Sequence, residues 1–263
     1  MARLPALFIS HGSPMHALEA GAAGKAWAKL ARDLPTPKAI LIASAHWETE
    51  LPSFTTASKP ETIHDFGGFP EALYRIQYSA PGSPELAEKA RSLLKQEGQC
   101  AAMDGTRGLD HGAWTPLLHM YPKADIPVVQ VAVQPGLGAA HHIALGRALA
   151  PLANEQVLIM GSGHMTHNLR EAFSALRGGR EVPTEPYATE FSTWVGQRIE
   201  SHNLEALADY RQQAPQAIRA HPSEEHFLPL FVALGAAGDY KHPQRIYSGI
   251  ELGSLSMDAW MLQ

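Results

Sequence analysis

The sequence predicts an α/β fold, a single domain spanning 1–263 with a central, mostly parallel or mixed β-sheet flanked by helices. Three observations predict it. Residues 5–10, 39–45, 126–133 and 157–161 form continuous apolar runs, as expected of strands buried on both faces. Stretches with helical spacing alternate with those runs, which is the α/β signature. Finally, the runs lead into short segments carrying histidine, so one sheet edge collects imidazoles. In open α/β sheets the loops leaving the carboxyl ends of the strands line the ligand crevice, which places a metal site at that edge.

Composition narrows the class. A chain of 263 residues with 45% hydrophobic and 18% charged residues has enough apolar side chain for one large core. A formal charge of -5 gives no basic footprint, so neither nucleic acid nor an anionic membrane is expected as a partner. No apolar stretch reaches the roughly 18 residues that cross a bilayer. The single cysteine, Cys100, forms no internal disulfide and suits a reducing compartment, so a cytoplasmic location is expected.

In chain order, the strand at 5–10 is followed by a helix over 17–34 that stops before Pro35. The second strand, 39–45, opens into a long irregular stretch from 48 to 84, rich in Gly and Pro, of the kind that is usually functional. A helix is expected over 84–97, then another irregular piece holding Asp110-His111-Gly112-Ala113-Trp114. The strand at 126–133 precedes a helix over 141–154, and the strand at 157–160 a glycine-rich loop. Helices over 187–201 and 204–213 follow, then a mostly buried helix over 224–235 and a tail, 246–255, that reads as an edge strand.

Imidazole is the commonest protein ligand for a divalent metal and the commonest acid–base near neutral pH. His11 and His46 each follow an apolar run directly, where a rigid scaffold can hold a ligand in place. Ser223 reads as an N-cap, which puts His226 in a first helical turn, where the positive helix terminus keeps a ring neutral. Glu225 is placed to orient a ligand ring, and Glu224 to complement the helix dipole. In Gly161-Ser162-Gly163-His164-Met165-Thr166-His167 the third fingerprint glycine is missing and no Walker lysine follows. Those glycines read instead as letting backbone approach a ligand beside His167. His16, His119, His202 and His242 read as surface or helix residues, and His141 and His142 as capping or solvent-facing.

Taken together, His11-Gly12-Ser13-Pro14, Ser44-Ala45-His46-Trp47, Ile63-His64-Asp65-Phe66-Gly67-Gly68-Phe69-Pro70, Asp110-His111-Gly112, His167-Asn168 and Glu225-His226-Phe227-Leu228-Pro229 resemble one family. It is the class III extradiol ring-cleavage dioxygenases of the protocatechuate 4,5-dioxygenase type, in particular the DOPA 4,5-dioxygenase subgroup. The resemblance covers nearly the whole chain. It implies an enzyme that uses O2 to open a catechol to a semialdehyde, with one Fe(2+) ion per subunit, or Zn(2+), which bacterial members of the subgroup can carry.

It also implies that His11, His46 and His226 hold the metal. His167 is implied as the catalytic acid–base, able to close onto the ion when substrate is absent, and His111 as a second active-site histidine. His64, Trp47 and Phe66 are expected at the substrate, with Phe69 and Trp114 as further candidates for an aromatic wall. The wider family uses a glutamate as third ligand, so histidine here follows the subgroup. Two alternatives stay open: a zinc hydrolase on the same three histidines, and a non-catalytic binding protein of the same fold.

Overall fold

Four apolar strands lie side by side and parallel at the centre of an eight-stranded sheet. The computed structural model describes residues 3–177 and 182–263. Its strands are β1 (Ala6–Ser10), β2 (Ala39–Glu48), β3 (Ser53–Thr55), β4 (Ala102–Asp104), β5 (Val128–Val133), β6 (Val157–Gly163), β7 (Gln244–Tyr247), β8 (Ile250–Glu251), β9 (Leu255–Ser256) and β10 (Ala259–Leu262). The sheet order is β4-β3-β5-β2-β6-β1-β10-β7, and β8 pairs with β9 in a separate hairpin. Strands β5, β2, β6 and β1 are mutually parallel, β10 and β7 continue antiparallel beyond β1, and β3 meets β5 antiparallel on the other side.

The helices are α1 (Gly21–Asp33), α2 (Glu71–Tyr74), α3 (Pro84–Gln96), α4 (His111–Met120), α5 (Gly138–Leu149), α6 (Leu169–Arg177), α7 (Pro186–Glu200), α8 (Leu204–Ala208), α9 (Tyr210–Gln213), α10 (Ala217–Ala220) and α11 (Leu228–Ala237). They cover both faces of the sheet. Phe8, Leu41 and Ala43 point into a core with α3, α5, α7 and α11, while Leu7, Ile9, Ile40 and Ile42 point into a second core with α1 and α4. Alternate residues of one strand thus enter different cores, which is why these strands are apolar at every position. The molecule is a single α/β domain with helices on both sides of a mixed sheet.

Several element boundaries differ from the sequence reading. The stretch 48–84 contains β3 and the short α2, and the piece around His111 opens α4. Asp110 caps that helix by accepting from Ala113 N at 3.2 Å, a signal masked by Pro116 inside the helix. The helix placed at 17–34 is a 3-10 turn at Pro14–Ala17 followed by α1, and 204–213 is two short helices meeting at Asp209. Of the tail expected as an edge strand over 246–255, only 246–247 lie in the edge strand β7; the rest carries the β8–β9 hairpin, and β10 inserts between β7 and β1. Cys100 is a free, exposed thiol.

Helix α11 has no polar face; each of its residues is buried. It meets α5 backbone to backbone at two glycines. A Cβ on Gly146 would lie 2.2 Å from Val232 O, and one on Gly235 would lie 2.1 Å from Ile143 O. Gly146→Ala is therefore expected to lower the unfolding free energy by about 1–3 kcal/mol through overpacking. Urea denaturation checks this, and an unchanged midpoint would contradict so close a contact.

Candidate metal centre

Three histidines arrive at the carboxyl edge of the parallel strands from three directions. His11 follows β1, and its backbone N–H donates to Gly163 O at 3.0 Å across to β6. His46 lies near the end of β2. His226 sits in a turn just ahead of α11 rather than within a first helical turn, because that helix begins at Leu228. The hydroxyl of Ser223, the expected cap, is taken by Glu225 Oε1 at 3.1 Å.

The glycines of the β6 loop bring this turn in. A Cβ on Gly161 would fall 2.0 Å from Pro229 O, and one on Gly163 would fall 2.1 Å from His226 O. His164 N–H then donates to His226 O at 2.7 Å. These glycines serve the approach of the segment that carries His226, not the close approach of a ligand.

Each ring is oriented through Nδ1. In α4 the carbonyl of Gly112 has no helical donor, since Pro116 four residues on lacks an N–H. The Ser162 hydroxyl donates to that carbonyl. Its oxygen, 3.0 Å from His11 Nδ1, is therefore the acceptor for the His11 Nδ1–H. His226 Nδ1–H donates to Glu225 Oε1 at 2.8 Å, and His46 Nδ1 lies 3.4 Å from Asp65 Oδ2.

With the protons on Nδ1, the Nε2 atoms carry bare lone pairs, and they face one another. His11 Nε2 is 3.0 Å from His46 Nε2, which is 3.3 Å from His226 Nε2. Two nitrogens about 2.1 Å from one ion at tetrahedral to octahedral angles stand about 3.0–3.4 Å apart. Mutually repelling lone pairs at that spacing fit a shared cation. Burial, and next the neighbouring imidazoles, hold His11 and His226 well below the usual histidine range and bring His46 to about 4. Neutral rings are the ligating form.

Two more histidines join them. Ligand atoms of His11, His46 and His111 all lie within 4.8 Å of one another, as do those of His167, Glu225 and His226. The His111 ring is 4.0 Å from that of His46, with Nδ1 3.0 Å from Asp65 Oδ1. Burial works against ionisation of Asp65, but His111 and His46 outweigh it and hold the carboxyl at about 2. His167 stacks on His226 at 3.4 Å and 14°, its Nδ1 4.0 Å from Glu225 Oε1. Its loop is tied down by His167 N–H to Ala220 O at 2.8 Å and by Thr166 Oγ1 to Ser254 O at 2.8 Å.

The structure thus gathers His11, His46, His111, His167 and His226. His64 stands apart: its Nε2 donates to Ile76 O at 3.0 Å, and its ring packs with Phe66, Tyr74 and Trp114. Phe66 meets His111 edge-on at 5.6 Å, at the border between that aromatic group and the imidazoles. Trp47 is buried, with the Arg107 guanidinium 5.5 Å over its ring. Asp65, Ser162 and Gly112 all lie within the sequence motifs, but no role for them is legible there; their work is visible only once loops meet.

Other histidines correct their readings. His16 is buried, not superficial, and pairs with Glu251 Oε2 at 3.0 Å. His142 is buried too, accepting from Gln134 N at 3.0 Å and donating to Gly138 O at 2.7 Å. His221 is buried as well and donates to Met165 O at 2.9 Å. Glu224 anchors Tyr210 and Arg211 rather than a helix terminus.

Burial brings His142 to about 4 and His221 to about 3. The folded protein then binds fewer protons at these groups than the unfolded chain. Their stabilisation is complete above the unfolded value of about 6.5 and is lost as pH falls through about 4 and then 3. Denaturant midpoints of the metal-free protein are expected to decline steadily below pH 6.5 for this reason. A flat profile from pH 6.5 to 4 would show that these rings are solvated.

A sheet edge furnished with neutral, individually oriented imidazoles defines a metal-dependent enzyme of the α/β class. Residues 5–255 match the family described as the catalytic LigB subunit of aromatic ring-opening dioxygenase. The chain is 44% identical to 4,5-DOPA dioxygenase extradiol of Beta vulgaris, over 96% of this chain and 94% of that one. It is 42% identical to the protein of the same name from Escherichia coli (strain K12), over 97% and 93%. The crystal structure of an uncharacterized protein from Escherichia coli K12 matches with a TM-score of 0.83 at 35% identity, covering 99% of this chain and 100% of that one. The chain belongs to the LigB family of aromatic ring-opening dioxygenases. It is a metal-dependent extradiol dioxygenase acting on a catechol-type ring with O2. Among the described residues no helix is long and apolar enough to cross a membrane.

Proposed function

We propose that the protein opens the ring of DOPA or a close catechol analogue at the 4,5 bond in the cytoplasm, using one Fe(2+) per subunit held by His11, His46 and His226. The observation that carries this reading is the row of three Nε2 atoms 3.0 and 3.3 Å apart with every Nδ1 engaged elsewhere. Iron held there would supply a Lewis acid for the catechol oxygens and a route for electron density to O2; zinc would supply only the first, having no redox chemistry.

The protein's own groups do the rest. His167 is neutral, held well below the usual histidine range by burial and then by His164 and its other imidazole neighbours, so it can take a catechol hydroxyl proton. Glu225, 4.0 Å from His167 Nδ1, stabilises the imidazolium that results. The same ring returns the proton later, and an ion pair keeps it in place meanwhile. His111 presents its ring to substrate or oxygen from beside His46, while Phe66 covers one side of a planar ring. His64 holds the loop bearing Phe66 through Ile76 O, while Trp47 is buried within β2 beneath the Arg107 guanidinium.

The three neutral rings favour a second metal reading, with Zn(2+) in the same site and hydrolysis as the reaction. Anaerobic purification, loading with Fe(2+) and an oxygen electrode decide between them. One O2 consumed per DOPA with a yellow product supports ring opening. Catechol-independent ester or amide hydrolysis by the zinc form, without O2 uptake by the iron form, would sink it.

A further inference from the structure

We infer that Asp65 is a shared positioning residue, one carboxylate that sets both the metal-ligating ring of His46 and the substrate-facing ring of His111. The inference rests on the ligand set proposed above and extends it to a residue outside that set.

The geometry is specific. Asp65 Oδ2 lies 3.4 Å from His46 Nδ1, and Oδ1 lies 3.0 Å from His111 Nδ1. Oδ1 also accepts the backbone N–H of His111 at 2.9 Å, at the first residue of α4. One side chain therefore spends its two oxygens on two imidazoles and a helix N-terminus. The His46 and His111 rings stand only 4.0 Å apart, so a single anchor beneath both fixes their spacing and their tilt of 45°. His111 Nδ1 is buried and makes no aligned hydrogen bond, so the Asp65 carboxylate 3.0 Å away acts on it as the neighbouring charge.

The consequence for each ring is the same in kind and different in effect. A carboxylate at Nδ1 keeps the proton there and turns Nε2 outward as a bare lone pair, more basic than with a neutral partner. For His46 that raises affinity for the ion. For His111, which is no ligand in the proposed set, it fixes the tautomer offered to substrate or oxygen. Asp65 reaches these rings from residues 63–70, a segment that also brings Phe66 against His111 at 5.6 Å. Placement of that segment is thereby coupled to the order of the centre.

The test is a double-mutant cycle with two readouts. Asp65→Asn keeps the shape and removes the charge. Metal affinity, measured by competition with a chromophoric chelator, is expected to fall about 10–100-fold, the usual effect of removing an outer partner of a ligating histidine. Turnover at saturating metal is expected to fall by a similar factor with KM for catechol changing less. In a His111→Ala background the turnover loss from Asp65→Asn should vanish while the affinity loss remains, because the first acts through His111 and the second through His46. Asp65→Glu, which keeps the charge, should recover part of the affinity, and it replaces the Asn variant if that one does not fold.

Unchanged chelator competition in Asp65→Asn, or turnover losses that simply multiply in the double variant, would overturn the inference. Failure of the underlying ligand assignment shows up separately, as full metal retention by His46→Ala with Asp65 intact.

Discussion

His226→Ala is expected to lose the metal, while His111→Ala keeps it. The two variants separate the ligand sets that the cluster offers, since His111 and His226 both flank His11 and His46. His226 Nε2 is in direct contact with His46 Nε2 at 3.3 Å, and its Nδ1 is engaged by Glu225 at 2.8 Å, as a ligand's must be. Losing one of three ligands from a site worth about 10–16 kcal/mol removes on the order of 4 kcal/mol, or about 10³-fold in affinity. His11→Ala and His46→Ala should behave like His226→Ala. Metal analysis after dialysis against a mild chelator, with thermal melts to confirm folding, gives the answer. Stoichiometric metal in His226→Ala together with its loss in His111→Ala would move the ion to the His11–His46–His111 side.

The histidines legible in the sequence were those whose position follows from local pattern. His11 and His46 end apolar strands, and a strand buried on both faces announces itself, as Leu7, Phe8 and Ile9 do by entering two different cores. His226 stood out by its motif, but its helix boundary did not: Ser223 is an adequate cap by composition, and only the structure shows its hydroxyl on Glu225. Helix α4 was hidden because Pro116 argues against a helix interior. There the broken hydrogen bond is reused, as the liberated Gly112 carbonyl takes Ser162, which in turn sets the tautomer of His11. Gly161 and Gly163 look like ligand glycines in one dimension; in three they admit the backbone of Pro229 and His226. Strands β3 and β4 are three residues each and pair across some 50 positions, so no local window contains their reason. Asp65 follows the same rule, since its partners at 46 and 111 belong to other elements.

His167→Ala should retain the ion and lower turnover by about 10²–10⁴-fold, the usual weight of a positioned acid–base group. The ring contributes no Nε2 contact to the His11–His46–His226 row; it stacks on His226 at 3.4 Å, so its removal leaves the row in place. Its loop also survives the change, because the ties run through the backbone of residue 167, the Thr166 hydroxyl and the Asn168 amide to Arg219 O at 2.8 Å, none of which the imidazole makes. A loss confined to kcat, with substrate affinity near that of the parent, is therefore the signature of proton transfer rather than of a collapsed site. Added imidazole should restore part of the rate by entering the cavity beside Glu225, which remains to stabilise its protonated form. Should the variant instead release metal as readily as His226→Ala, the stack on His226 would have to be read as coordination support, and the proton would need another acceptor.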